Sequence, residues 1–188
     1  MTKVQVEQLW KSYDGRPVLR GVSFRAEKGV TCIMAPSGSG KTTLLRIILG
    51  LETADRGQVR GAENFRAMFQ EDRLLEGLTA MENLRFALGR ELDESAARAL
   101  LVRLGLGEEG EKRVRDYSGG MKRRLSLARA LLAHSGGLAL DEPFTGLDEE
   151  NRRLCLTLIR EAAEEKTVLL VTHDTKDAEA LGARILRL

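Results

Sequence analysis

Ala35-Pro36-Ser37-Gly38-Ser39-Gly40-Lys41-Thr42 sets two glycines, a lysine and a threonine hydroxyl in one short run. That combination suits a polyphosphate. Glycines let consecutive backbone N–H groups approach phosphate oxygens, and a helix opening at the end of the loop adds further donors. Lys41 can then reach the β- and γ-phosphates of a nucleoside triphosphate, while the Thr42 hydroxyl can hold Mg²⁺. Ser37, Gly38, Ser39, Gly40, Lys41, Thr42 and Thr43 are the candidate nucleotide ligands. The strict pattern opens with glycine where this chain has Ala35, but Gly38 and Gly40 stand where the loop folds around phosphate. A second cluster, Leu138-Ala139-Leu140-Asp141-Glu142, ends an apolar run in two carboxylates. Asp141 is the candidate Mg²⁺ ligand, through water, and Glu142 the candidate base that polarises an attacking water. Carboxylates at a strand end can also be merely solvated; beside the upstream loop, hydrolytic chemistry is the stronger reading.

Tyr117-Ser118-Gly119-Gly120-Met121 precedes a basic, alanine-containing helical pattern from Lys122 to Ala130. A serine cap, two glycines and a fresh helix N-terminus form a second anion site, although one chain needs only one γ-phosphate site per ATP. The segment resembles the signature of the ABC (ATP-binding cassette) ATPases, with Tyr117 and Met121 departing from its commonest Leu and Gln. The resemblance implies that Ser118, Gly119 and Gly120 close on ATP held by the opposite subunit of a head-to-tail pair. It further implies that Tyr13 stacks on adenine. Gln70 would sense Mg²⁺ and the attacking water while linking a helical insertion to the core. Asp148, in Thr145-Gly146-Leu147-Asp148, would meet its counterpart across the dimer, and it equally suits the cap of the next helix. His173, after the apolar run 167–172, would contact the γ-phosphate. The catalytic set so implied is Glu142, His173, Gln70 and Lys41, and the metal set is Thr42, Gln70 and Asp141. The basic residues after the signature read as a solvated helix face.

Within that family, Phe69-Gln70-Glu71-Asp72-Arg73-Leu74-Leu75 and Thr79-Ala80-Met81-Glu82-Asn83 resemble importer subunits of the nitrate, sulfonate and taurine kind. The implied function is to bind and hydrolyse ATP, with Mg²⁺, and so energise solute transport through a separate permease. The subunit would act as an ATP-sandwich dimer. Implied partners are a second copy or a homologous subunit, transmembrane permease subunits and, for an importer, an extracytoplasmic solute-binding protein; nucleic acid is not expected. The implied location is the cytoplasmic face of the cell membrane, held by the permease. Leu74, Leu75 and Leu78, among charges from Glu71 to Glu76, suit a docking groove for a permease helix; packing of the insertion onto the core is the plainer alternative. Two other functions stay open: an ABC ATPase acting on DNA or ribosomes, and a non-catalytic nucleotide-binding subunit. The first kind usually carries long coiled-coil insertions or fused cassettes, and the second normally lacks Glu142 or His173.

These residues are far apart in sequence and need a frame. Continuous apolar runs at 30–35, 138–141 and 167–172 read as strands covered on both faces. Val4 to Trp10 and Val18 to Ala26 read as half-buried strands joined at Asp14-Gly15. Thr42 to Leu49 reads as a helix closed by Gly50. Thr79 with Glu82 forms a capping box, Asp93 caps a second helix ending at Gly105, and Ser118 caps a third reaching Ala133. The expected fold is α/β: a RecA-like P-loop core, about 1–70 and 135–188, with a small antiparallel β edge and a helical subdomain at about 71–134, together one ABC ATPase domain. A chain of 188 residues with 43% hydrophobic and 31% charged residues can bury one sizeable core. Its net charge of +2 supplies no strong field for nucleic acid or anionic lipid. Cys32 and Cys155 lie in apolar runs and read as buried thiols rather than a disulfide. The first residues lack a signal peptide's apolar core, no run approaches the roughly 18 apolar residues of a membrane span, and no added C-terminal regulatory domain is expected.

Overall fold

The apolar runs do become strands, and their order in the sheet is what assembles the site. The computed structural model describes residues 3–36 and 38–188. Strands β1 (Val4–Tyr13), β2 (Arg16–Ala26) and β4 (Arg56–Arg60) make a small antiparallel sheet ordered β2-β1-β4. Asp14 and Gly15 both have positive φ (49° and 75°), the condition for a two-residue hairpin turn that matches the strand twist. A five-stranded sheet takes the order β5-β6-β7-β3-β8, with β3 (Gly29–Met34), β5 (Phe65–Met68), β6 (Gly137–Asp141), β7 (Thr167–Val171) and β8 (Arg184–Arg187). β7 pairs in parallel with both β6 and β3, and β3 pairs in parallel with β8. Every residue of β6 and β7 is buried, which is why these segments read as unbroken apolar runs.

The chain divides into two compact units. The first comprises Met1–Ala67, Ser135–Glu142 and Arg160–Leu188; the second comprises Met68–His134 and Pro143–Ile159. In the first, helix α1 (Lys41–Ile48) buries Leu44, Leu45, Ile47 and Ile48 in a cluster with residues of both sheets, among them Val6, Leu9, Phe24, Ile33, Ala139 and Leu169. Helices this short are marginal on their own, so these four side chains, at about 1.5–3 kcal/mol each, hold α1 in place. The second unit packs α2 (Ala80–Leu88), α3 (Glu94–Arg103) and α4 (Gly119–Leu132) on one another. Helix α5 (Glu149–Ala163) and α6 (Thr175–Ala180) complete the helices.

Each expected cap forms. Thr79 accepts from the Glu82 amide while Glu82 accepts from the Thr79 amide, Asp93 accepts from Ser95 and Ala96, and Ser118 accepts from Met121. Strands β4 and β8 have no counterpart in the sequence reading. Both lie at sheet edges, largely exposed and rich in arginine, so neither shows an apolar run. Both cysteines are free, buried thiols. Among the described residues, no helix is long and apolar enough to cross a membrane.

Candidate functional site

In the parallel register Ile33, Asp141 and Val171 stand level, because Ile33 and Asp141 both pair with Val171. The segments leaving these three strands therefore start at one edge, the carboxyl edge where open α/β sheets bind ligands. The phosphate loop leaves β3, Glu142 leaves β6, and Thr172-His173 leaves β7. Thr42, at the second position of α1, donates from its hydroxyl to Asp141 Oδ2 at 2.7 Å. Asp141 is almost wholly buried, 2% exposed. Glu142 follows with φ 49° and its amide bonded to Val171 O at 2.9 Å. Pro143 comes next and disfavours the right-handed helical alternative, so the chain turns and aims the carboxylate towards the end of β7. There His173 Nδ1 lies 3.2 and 3.1 Å from its two oxygens. The tautomer with its proton on Nδ1 would donate to either oxygen and leave Nε2 for another group. The Glu142 side chain is 17% exposed and that of His173 is 78% exposed.

The phosphate loop is held closed by its own lysine: Lys41 Nζ donates to Ala35 O at 2.7 Å and Pro36 O at 2.9 Å. Gly40 precedes α1 with φ 91°, and a Cβ there would lie 2.5 Å from Val18 Cγ1, so glycine is required twice over. The same β1–β2 hairpin that packs Val18 against Gly40 ends in Tyr13, whose ring is exposed and has Lys11 Nζ 5.1 Å from its centroid. Thr43 sits in the first turn of α1, and Gly38 takes φ 78° in the loop. Ser37, also a candidate ligand, lies outside the described residues.

These residues fit a magnesium nucleotide. Ser39 Oγ is buried and has no hydrogen-bond partner among the described residues, the situation of a hydroxyl that a phosphate oxygen would satisfy. Thr42 and Asp141 bring two hard oxygen donors together. Among the described residues there is no group of three or more His, Cys, Asp or Glu that could hold a metal ion.

The other candidates belong to the second unit. Ser118 and Gly119 are exposed at the N-terminus of α4, the Ser118 oxygen accepting from the Met121 amide at 3.2 Å. A Cβ on Gly120 would lie 3.4 Å from Gly146 O and 3.5 Å from Leu147 Cδ2, so the fold sets the signature beside the 145–148 loop. Asp148 caps α5: its carboxylate accepts from the Asn151 amide at 2.8 Å and side chain at 2.7 Å. The amide bond first of all draws its carboxyl below the ordinary range. Gln70 has an exposed position just after β5. Tyr117 is buried and satisfied, its hydroxyl donating to Glu109 O at 3.0 Å, and burial pushes its pKa up.

The basic run after the signature is not a solvated face. Arg123 and Arg124 are 4% and 8% exposed. Arg123 Nη1 donates to Phe69 O, Gln70 O and the Asp72 carboxylate at 2.8, 2.9 and 3.0 Å. Arg124 donates to Leu104 O and, at 3.3 Å, Gly120 O, and Arg129 donates to Arg73 O at 2.7 Å and Asp72 O at 2.8 Å. Unpaired, each guanidinium would be too costly to bury; carbonyl acceptors on a strandless segment make it affordable. Asn83, 4% exposed, likewise bonds the Leu75 amide and the Leu75 and Thr79 carbonyls. The arginines at positions 123, 124 and 129, set among Leu125, Leu127, Ala128 and Ala130, were the available signal: charge interleaved with apolar residues has no clean polar face to occupy.

The sequence matches the family described as ABC transporter over residues 19–145. It is 40% identical to the aliphatic sulfonates import ATP-binding protein SsuB 2 of Agrobacterium fabrum, over 95% of this chain and 73% of that protein. It is 39% identical to the corresponding SsuB of Cupriavidus pinatubonensis, over 97% of this chain and 64% of that protein. A solved structure described as the ATP-binding subunit of an ABC transporter superposes with a TM-score of 0.88 at 26% identity, covering 100% of this chain and 86% of that one. With a RecA-like P-loop sheet that brings Lys41, Thr42, Asp141, Glu142 and His173 to one edge, the chain belongs to the ABC transporter family, as one of its ATPases.

Proposed function

We propose that this chain hydrolyses ATP to drive import of a small anion, of the aliphatic sulfonate kind, through a separate membrane permease. The observation that carries hydrolysis is the cluster at the sheet edge: a Thr42–Asp141 pair, a Glu142 carboxylate one residue on, and His173 against that carboxylate. The anion class and direction of transport rest on the names of the similar proteins. In this reading Lys41 leaves the Ala35 and Pro36 carbonyls for the β- and γ-phosphates. Ser39 and the amides of the loop and of α1 donate to the remaining phosphate oxygens. Thr42, Asp141 and Gln70 are the residues that would hold Mg²⁺, which when bound would supply charge neutralisation on the phosphates. Glu142 takes a proton from the attacking water, and His173 turns Nε2 to the γ-phosphate. Tyr13 offers its exposed face to adenine. The division into a RecA-like core, about 1–70 and 135–188, and a helical subdomain, about 71–134, is part of the same proposal.

Ser118, Gly119 and Gly120 serve the nucleotide of a second copy, so two ATP molecules lie between two chains. Asp148 lies near that contact while also capping α5. The chain then sits at the cytoplasmic face of the membrane, held by the permease, with an extracytoplasmic solute-binding protein supplying the anion. The paired arrangement is tested by two variants. Lys41→Ala removes ATP affinity from the isolated chain, since it deletes a charge-assisted contact to phosphate. Ser118→Arg leaves monomer binding of ATP intact and blocks ATP-dependent dimerisation, read by size exclusion. If Ser118→Arg weakened monomer binding as much as Lys41→Ala does, the signature would serve its own nucleotide and the paired reading would fall.

A further inference from the structure

Residues 69–73 form no regular structure after β5 ends at Met68, yet their main chain is held by side chains from one helix. Arg123 reaches the carbonyls of Phe69 and Gln70 and the carboxylate of Asp72. Three residues on, the Ser126 hydroxyl donates to Asp72 O at 3.3 Å. Three further on, Arg129 takes the carbonyls of Asp72 and Arg73, which flank a residue in the left-handed region (Arg73, φ 49°), and also donates to Ser126 Oγ at 3.3 Å. This spacing puts all three side chains on one face of α4. None of these bonds uses the Gln70 side chain. The backbone is clamped while the amide that would meet the metal and water stays available. The same helix starts at Ser118-Gly119-Gly120.

We propose that Arg123, Ser126 and Arg129 are positioning residues for Gln70. They make the signature end of α4 and the Gln70 segment a single body, so that what engages Ser118 to Gly120 also sets where Gln70 stands. This rests on the role of Gln70 given above and adds the residues that enforce it. Guanidinium groups suit the task because one planar fork spans two neighbouring carbonyls; a lysine ammonium is a point charge that fixes no orientation.

The test compares Gln70→Ala, Arg129→Gln, Arg129→Lys and the Gln70→Ala/Arg129→Gln pair in the full chain. The readouts are steady-state ATPase, thermal unfolding and amide hydrogen exchange. Arg129→Gln is expected to lower kcat by about 10- to 10²-fold, the cost of a slightly misplaced group. KM for ATP stays unchanged, because the nucleotide ligands of the phosphate loop are untouched. Exchange over residues 70–74 speeds up while that of α2 does not. Arg129→Lys recovers part of the rate, and the double variant is no slower than Gln70→Ala alone. Ser126→Ala, a smaller change with a weaker effect of the same sign, carries the test if Arg129→Gln does not fold. A slow Gln70→Ala beside Arg129→Gln and Ser126→Ala at wild-type rate overturns the proposal alone. So does a double variant whose losses multiply, or a fall in kcat matched by a rise in KM and a fall in Tm. Wild-type turnover in Gln70→Ala overturns the reading of Gln70, and the proposal with it.

Discussion

Glu142 combines a left-handed backbone, a mostly buried carboxylate and a histidine contact. A non-glycine residue in that region costs about 1–3 kcal/mol, and here the turn aims the carboxylate at the edge where the phosphate loop begins. Glu142→Gln keeps the shape and removes the proton acceptor. Phosphate release should fall about 10²–10⁴-fold while ATP affinity is retained, and the variant should collect as an ATP-bound dimer on size exclusion; near-normal turnover would remove Glu142 from the mechanism. The two thiols predict a pH response of another kind. Burial pushes Cys32 to about 11 and Cys155 to about 12, from an ordinary value of 9.0. The folded state therefore disfavours both thiolates. The stabilisation is fully present below pH 9 and is lost as pH rises through 11 and 12. Urea unfolding midpoints should drop between pH 8 and pH 10.5, and Cys155→Ala should show a smaller drop relative to its own value at pH 8. An equal drop in that variant would place the alkaline sensitivity elsewhere.

Helices α2 and α4 do more than fill the second unit, since their polar side chains stand in for a missing strand partner along 69–79. Lys122 adds an ion pair to Glu76 at 2.7 Å, and Asn83 closes the Leu75 turn from both sides. Asn83→Ala leaves the Leu75 amide without its partner and should cost about 1–3 kcal/mol of stability, measured by denaturant unfolding, with faster exchange at Leu75. An unchanged midpoint would mean that water replaces the amide freely. The element boundaries were readable because caps and apolar runs are local: Thr79 and Glu82 cap each other across three residues. The role of α4 was not readable. A helical arginine faces water or a row of carbonyls according to what packs beside it, and the carbonyls belong to residues more than fifty positions earlier.

At the scale of the whole molecule the proposed permease contact gains one definite feature. Of the three leucines set among charges, Leu75 is exposed at 40%, whereas Leu74 and Leu78 are half-buried. Phe86 and Val102 of the same unit are also exposed, at 74% and 66%. Replacing Glu71 with Lys and Leu75 with Glu changes exposed side chains only. The purified double variant should hydrolyse ATP normally, lose co-purification with the permease and fail to support uptake. Normal assembly and transport in that variant would move the docking surface away from 71–75.

What the sequence alone determined were the pieces whose chemistry is contiguous: the phosphate loop, the Asp141-Glu142 strand end, the serine-glycine signature, the helix caps and the doubly covered strands. Each is written in adjacent residues because backbone dihedrals and strand burial act over a few positions. The tertiary structure alone decided the order β5-β6-β7-β3-β8, in which Ile33 and Asp141 come level through β7 although more than a hundred residues separate them. It also decided that Gly120 lies against Gly146, that β4 and β8 are strands at all, and that Arg123 and Arg124 are inside. Those outcomes follow from pairing and packing between distant segments, where an exposed edge accepts almost any side chain and a buried charge is tolerated only where acceptors have been brought to meet it.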